Sequence, residues 1–477
     1  MNINKKRLIM GLIIFIIIVG INLTLPNYSK AAYKANIKQY TVKTDEQNLS
    51  TEKFVNVGTI QYEQPSPVYD FFDENGNLNV IYTSETNVYW SKFNSNMQAI
   101  STIKFAQYYD KSNSPGYMKN LIFNFGNAVY YKKYLYIVYG RQGTGVDNAS
   151  SEDTMAVVKY DKNGNIVGKI TLNAAANCPN TSYKYGTLLP FYPSSNCSLT
   201  VNEKDDTLAC FFQTHMYNGH ERAGLFFIDT NTMEWVSNQY ETNEQYLNKY
   251  NGIRGYYSSH SMSQRIIATS DGGYLLADQN DASNRGLLIT KVEPDDNGNL
   301  NGLIFRMINF REGGNFSHGY NYTHLIPGNL IELSDGYMYI GAMERTLDLN
   351  YGYSINESWD LFVQKYDKDL IHKETTKDAQ MFNTTPISAT GNRPTENVYG
   401  SLFLNGTEKN YGIKWLTNLK NKKMVVDVNA VKIENDKTVI LYELLDLKEE
   451  SSGGYSYTNK KGEVYYIIID KERKDNI

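Results

Sequence analysis

The chain has 477 residues with 47 basic and 51 acidic side chains, a net charge of −4, 19 phenylalanines, 40 tyrosines and three cysteines. That length suits one large all-β domain rather than a single small one. The charge balance argues against a nucleic-acid partner, which calls for a basic face. An odd cysteine count fits no full disulfide framework.

The N-terminus sets the compartment. Lys5, Lys6 and Arg7 precede an almost unbroken apolar run from Leu8 to Leu25, Pro26 ends it, and Ser29-Lys30-Ala31 supplies small residues at a cleavage site. This is the order of a secretory signal peptide over residues 1–31. The run is also long enough to cross a bilayer as an uncleaved anchor. Either way the rest of the chain is expected outside the cytoplasm, secreted or at the cell surface, touching a membrane only through an uncleaved N-terminal segment.

Residues 32–65 form a lead-in, within which Tyr33 to Tyr62 offers a ring-closing strand. From residue 66 to 477 one pattern recurs. It reads strand, tight turn, strand, long loop, strand, tight turn, strand. Val68 to Phe72 turns at Asp73 to Asn77 into Leu78 to Tyr82. Another unit closes on Ala156 to Asp161 with the turn Asp161-Lys162-Asn163-Gly164-Asn165. Leu208 to Phe212 pairs with Gly224 to Asp229, which makes Cys210 a core residue, while Cys178 and Cys197 flank a loop-like stretch that either bridges them or leaves two thiols. The clearest copy runs from Arg265 to Thr269 through Ser270-Asp271-Gly272-Gly273 into Tyr274 to Ala277, then Gly286 to Val292, and after Asp295 to Asn299 into Leu303 to Phe305. Leu330 to Leu333 turns at Ser334-Asp335-Gly336 into Tyr337 to Gly341, followed by Asp360 to Asp367. Ala430 to Ile433 turns at Glu434 to Lys437 into Thr438 to Tyr442, and the last copy stops at Ile467 to Asp470. Asn-Gly and Asp-Gly pairs between β-rich runs are hairpin signals.

Four-stranded units at this spacing, each unable to bury its faces alone, predict a β-propeller of six to seven blades. The stretch Met381 to Leu416, with Tyr399 to Leu404 and Tyr411 to Leu416, offers the seventh. These words resemble the bacterial secreted propeller repeat of Asp-Gly-Gly-Tyr type followed by a Lys-x-Asp-x-Asn-Gly turn, found in Gram-positive, clostridial-like proteins. The resemblance covers most of residues 66–470 and implies architecture, not activity. The Thr-Trp that a sialidase-type Asp-box needs after its glycine turn is missing from Ser270 to Tyr274 and from Ser334 to Tyr337.

The second-to-third connections are expected to be long: Arg141 to Asp153, Gln213 to Arg222, Asp278 to Arg285, Glu344 to Trp359 and Glu443 to Val464. They would emerge on one face with the links between blades, and loops on a rigid scaffold carry function. Five of the six histidines fall between residues 215 and 324. His215, His260 and His318 are the candidate metal ligands, and with Arg265 and Arg285 the candidate catalytic groups. His220, Arg222, Asp278, Asp281 and His324 are candidate ligand-binding residues. Gly143 to Asp153 offers oxygens to calcium without EF-hand spacing, so a divalent metal, calcium or a transition metal, is the one cofactor the sequence suggests. Two functions stand open. One is a secreted binder of an extracellular glycan or protein through the long-loop face. The other is an extracellular lyase, hydrolase or sulfotransferase-like enzyme on a polysaccharide or anionic substrate. Tyrosine adds to neither by count alone, because it favours strands as readily as it stacks on sugars.

Overall fold

The computed structural model describes residues 39–42, 51–53, 63–65, 69–84, 87–94, 99–108, 123–141, 153–173, 197–215, 221–236, 262–279, 287–294, 300–308, 325–344, 359–370, 414–415, 423–432, 438–449, 455–457 and 463–469. Among them every regular element is a strand. Sheet one is Tyr69–Phe72, Leu78–Ser84, Asn87–Phe93 and Ala99–Ala106. Sheet two is Phe123–Tyr131, Tyr134–Arg141, Asp153–Tyr160 and Ile166–Asn173. Sheet three is Cys197–Asn202, Thr207–His215 and Glu221–Asp229, with a lone bridge from Ile228 to Trp235 beginning a fourth strand. Sheet four is Met262–Ala268, Tyr274–Gln279, Leu287–Pro294 and Leu300–Ile308. Sheet five is Leu325–Leu333, Gly336–Glu344 and Trp359–Tyr366, edged by Lys414–Trp415. Sheet six is Lys423–Lys432, Thr438–Glu449 and Glu463–Ile469, with Gln39–Val42 lying antiparallel on its outer side. Thr51–Lys53 and Glu63–Pro65 form a separate ribbon.

Each sheet is an antiparallel meander in chain order, except that sheet six also takes in Gln39–Val42 from the N-terminal side and Tyr455–Tyr457 on its second strand, and that a single parallel bridge, Trp359 to Met424, joins sheets five and six. The first strand of each sheet touches the first strand of the next, one to six in order, and that of sheet six touches that of sheet one. Sheets set radially around a shared axis are the architecture of a β-propeller.

The burial pattern explains why these segments are strands. A second strand lies between two neighbouring sheets, so both its faces are covered. Tyr134–Arg141 buries Leu135, Tyr136, Ile137, Val138 and Tyr139 without alternation, and Leu208 to Phe212 does the same. Continuous apolar runs of five residues are what such positions demand. The outermost strands show the reverse, with Ala99 to Thr102 exposed at every position. Between sheets one and two, Phe71, Ile81, Trp90, Ile137, Tyr139, Val158 and Tyr160 form one core cluster; between two and three, Val138, Val157, Cys197, Leu208, Cys210, Phe226 and Met233 form another. Burying one such Leu or Phe side chain contributes about 1.5–3 kcal/mol.

Of the two alternatives left open for Cys197 the structure takes the thiol: it opens an inner strand and is buried and unbridged, as is Cys210, while Cys178 lies outside the described residues. Two expectations change. The long connections are shorter than expected where pairing outruns the core: Gln213 to His215 and Glu221 to Arg222 belong to strands, as do Asp278 and Glu443. From the stretch offered as a seventh blade, Lys414–Trp415 is the edge of sheet five, and the rest lies outside the described residues.

Tyrosine earns its frequency in the core. Of the eight largest fully buried side chains among the described residues, seven are tyrosines and the eighth is Phe93. Some of their hydroxyls find partners inside: Tyr139 meets Tyr160 at 2.9 Å and Tyr366 donates to Gln364 at 2.7 Å. Desolvation holds the phenols of Tyr139, Tyr160 and Tyr366 above the usual range, so they stay neutral.

Candidate functional site

The six sheets present two different ends. One carries the first-to-second and third-to-fourth turns. There an Asp side chain caps its own turn: Asp73 accepts the backbone N–H groups of Asn75 and Asn77, each at 3.0 Å, and Asp161 accepts those of Asn163 at 2.8 Å and Asn165 at 2.9 Å. Such side-chain-to-backbone bonds make Asp and Asn turn residues.

The same end fastens sheet to sheet. Asp206 accepts from Lys132 of sheet two at 2.6 Å and from the Tyr131 hydroxyl at 2.5 Å, and those bonds, Lys132 first, lower its carboxyl to about 2. Asn202 donates to the Gly272 carbonyl of sheet four at 3.1 Å. Glu332 of sheet five accepts the Ser270 N–H at 2.7 Å and its hydroxyl at 2.9 Å, and takes Lys368 at 2.5 Å. Lys291 is buried against Glu293 and donates to the Lys368 carbonyl at 3.0 Å. This end is a scaffold.

The opposite end holds the sequence-selected residues that the structure describes. His215 is the last residue of its strand and pairs in register with Glu221, while Thr214 pairs with Arg222. The neighbouring first strand of sheet four touches this strand and carries Arg265, whose partner is Ala277, next to Asp278. Sheets three and four therefore place His215, Arg222 and Asp278 towards the same ends of neighbouring strands, with Arg265 at the middle of its own. His220, His260, Asp281, Arg285, His318, His324 and the calcium candidate Gly143 to Glu152 lie outside the described residues. Among the described residues no group of three or more His, Cys, Asp or Glu side chains is placed to hold a metal.

Arg265, one of the candidate catalytic groups, is bonded to backbone carbonyls. It is buried, its Nε donates to the Gly328 carbonyl on the first strand of sheet five, and its Nη1 donates to the Gln264 carbonyl at 2.8 Å. A guanidinium offers five donors in a fixed fork, and at least these two serve the backbone. Asp278 is buried beside it in the second strand.

Sequence reading missed three polar residues of the inner ring. Asp70 and Gln264 are fully buried on first strands, and Gln107 accepts the Phe125 N–H of the next sheet at 3.1 Å. Ser198 and Thr200 likewise accept the N–H groups of Ile266 and Ala268 at 3.2 and 3.0 Å. On the first strands of sheets two and four, Gln107, Ser198 and Thr200 thus satisfy inner-edge N–H groups that no ladder reaches. The signal was the polar alternation of Ser198 and Thr200 within Cys197–Asn202, which reads as loop when the neighbour is unknown.

No protein-family model matches the chain, and no curated protein matches it. Solved structures do align. A protein of unknown function from Dyadobacter fermentans is 7% identical over 91% of this chain and 99% of its own, with a TM-score of 0.49. A Trypanosoma rangeli sialidase mutant displaying trans-sialidase activity is 8% identical over 90% of this chain, with a TM-score of 0.46, and the alignment takes in 58% of the sialidase chain. The phage phi92 endosialidase is 11% identical over 93% of this chain and 70% of its own, with a TM-score of 0.44.

Proposed function

We propose that this chain is an exported six-bladed β-propeller that binds an extracellular glycan at the end opposite its tight turns. The observation that carries the reading is the placing of polar residues at one end of sheets three and four: His215 and Arg222 lie at strand ends away from the tight turns, and Asp278 lies one residue from the end of its strand. Sugar hydroxyls donate and accept at once, so residues of mixed type suit them better than residues of one sign. Rigid strands below and variable chain above is the usual build of a binding surface. Export is supported by the apolar run from Leu8 to Leu25 and the small residues after it. The sixfold cycle of first strands supports the blade count.

The test is a glycan array probed with the full chain, followed by titration of any retained glycan against Asp278→Asn and His215→Ala. Retention that weakens about tenfold or more in either variant, at unchanged thermal midpoint, supports the reading; tenfold corresponds to about 1.4 kcal/mol. A folded protein that retains no glycan overturns it. Release of new reducing ends from a bound polysaccharide would make the site catalytic.

A further inference from the structure

The four large apolar side chains that stand out as exposed among the described residues are Ile100, Ile166, Val167 and Val236, each half exposed or slightly more. They do not scatter. Ile100 is the second residue of the outermost strand of sheet one, Ile166 and Val167 open that of sheet two, and Val236 follows the bridge that begins that of sheet three. All four sit on the outer rim of three consecutive sheets, where the chain rises from a third-to-fourth turn. Single exposed apolar residues need no explanation, but a row of them marks a contact surface.

The charge of the same rim leans basic on sheets one and two, while Glu234 stands exposed beside Val236 on sheet three. The chain as a whole has more carboxylates than cations. Yet Ala99–Ala106, Ile166–Asn173, Leu300–Ile308, Lys414–Trp415 and Gln39–Val42, the outermost strands of five sheets, contain no Asp or Glu and carry Lys104, Lys169, Arg306 and Lys414. Lys104 and Lys169 are exposed, and Lys162 stands exposed in the turn just before Ile166. Apolar side chains interleaved with lysines suit an anionic lipid surface, where aliphatic groups enter the headgroup region and each lysine gains from the surface potential. A soluble polyanion would use the lysines and leave the isoleucines without a role. The chain's route agrees. Gln39–Val42 lies on the outer side of sheet six, next to sheet one in the cycle. The residues from Pro26 to Lys38 that join it to the apolar run reach at most about 45 Å when extended.

We infer that the rim of sheets one to three, centred on Ile166, Val167 and Lys169, is a docking surface for an anionic membrane. It is separate from the glycan-binding end, and either can fail without the other.

The experiment places the full chain on vesicles of phosphatidylcholine alone or with 30% phosphatidylglycerol, so that the N-terminal apolar run has lipid in both. An amine-reactive reagent then labels the lysines, and Lys204 of the turn end serves as internal reference. Docking predicts that Lys169 and Lys162 label at least about threefold more slowly on the anionic vesicles, that 0.5 M salt removes most of the difference, and that Ile166→Ser with Val167→Ser abolishes it while the thermal midpoint holds. Equal labelling on both vesicles overturns the inference. Equal protection by soluble poly(glycerol phosphate) without lipid also overturns it, in favour of an anionic polymer.

Discussion

The third-to-fourth turns of sheets two and three perform the same step with opposite means. In sheet two the turn is Asp161-Lys162-Asn163-Gly164-Asn165, and Gly164 takes the left-handed φ of 80°. Its bare Cα makes room for Phe105 of sheet one, since a Cβ there would lie 2.8 Å from the ring. In sheet three Asp229 caps the turn through the N–H groups of Asn231 and Thr232, but the left-handed residue is Met233, at φ 59°. Its side chain is buried and rests on sheet two at Gly168. One turn receives a neighbour's side chain and the other supplies its own. Sheet five repeats the second solution, with Leu370 left-handed at φ 60° and fully buried. The neighbouring sheet, and not turn propensity, selects the residue.

That account can be broken most sharply at Gly164. Gly164→Val combines left-handed strain with overlap on Phe105 and is expected to cost about 3 kcal/mol, read as a lower denaturant midpoint. Part of the loss should return in a Phe105→Ala background, because the two residues share one contact. Met233→Gly reverses the exchange. Relief of about 1 kcal/mol of backbone strain is outweighed by loss of a buried Met, about 2–5 kcal/mol, so a net loss near 2 kcal/mol is expected by the same assay. If it stabilised the protein instead, the buried side chain would have no role in joining the sheets.

Gly168→Ala sharpens the comparison at lower cost. A Cβ there would lie 2.9 Å from Met233 Cγ, and a flexible thioether yields where an aromatic ring does not. About 1 kcal/mol is expected, smaller than for Gly164, by thermal unfolding. The smallest effect concerns Asp206, whose carboxyl is held near 2 by Lys132, Tyr131 and Asn231. A depressed carboxyl contributes stability that is complete above its ordinary value near 4 and is lost as pH falls towards 2. Asp206→Asn should flatten the decline of the unfolding midpoint across that window, with a small loss at neutral pH that vanishes as pH falls towards 2.

The two turns also show what the sequence could reveal. Asn163-Gly164 announces its hairpin, whereas Thr232-Met233 does not, because its reason lies on another sheet. Second strands such as Tyr134–Arg141 and Leu208 to Phe212 are readable from continuous apolar runs, since neighbours cover both faces. The inner strand Cys197–Asn202 is not, because Ser198 and Thr200 are polar for the sake of sheet four. The candidate site shows the same limit. Histidine clustering drew attention to His215, which ends its strand away from the tight turns, but Asp70, Gln107 and Gln264 became visible only once the first strands formed a ring.

Those inner-edge bonds bear on how such a chain can change over time. Ile266 and Ala268 rely on sheet three for acceptors, Gly328 relies on sheet four for a donor, and Phe125 relies on Gln107 of sheet one. Deleting or duplicating one unit would set each side chain against a neighbour it was never matched to, stranding backbone groups away from water. Growth by whole-unit copying is therefore penalised, while drift in the connections between units is not.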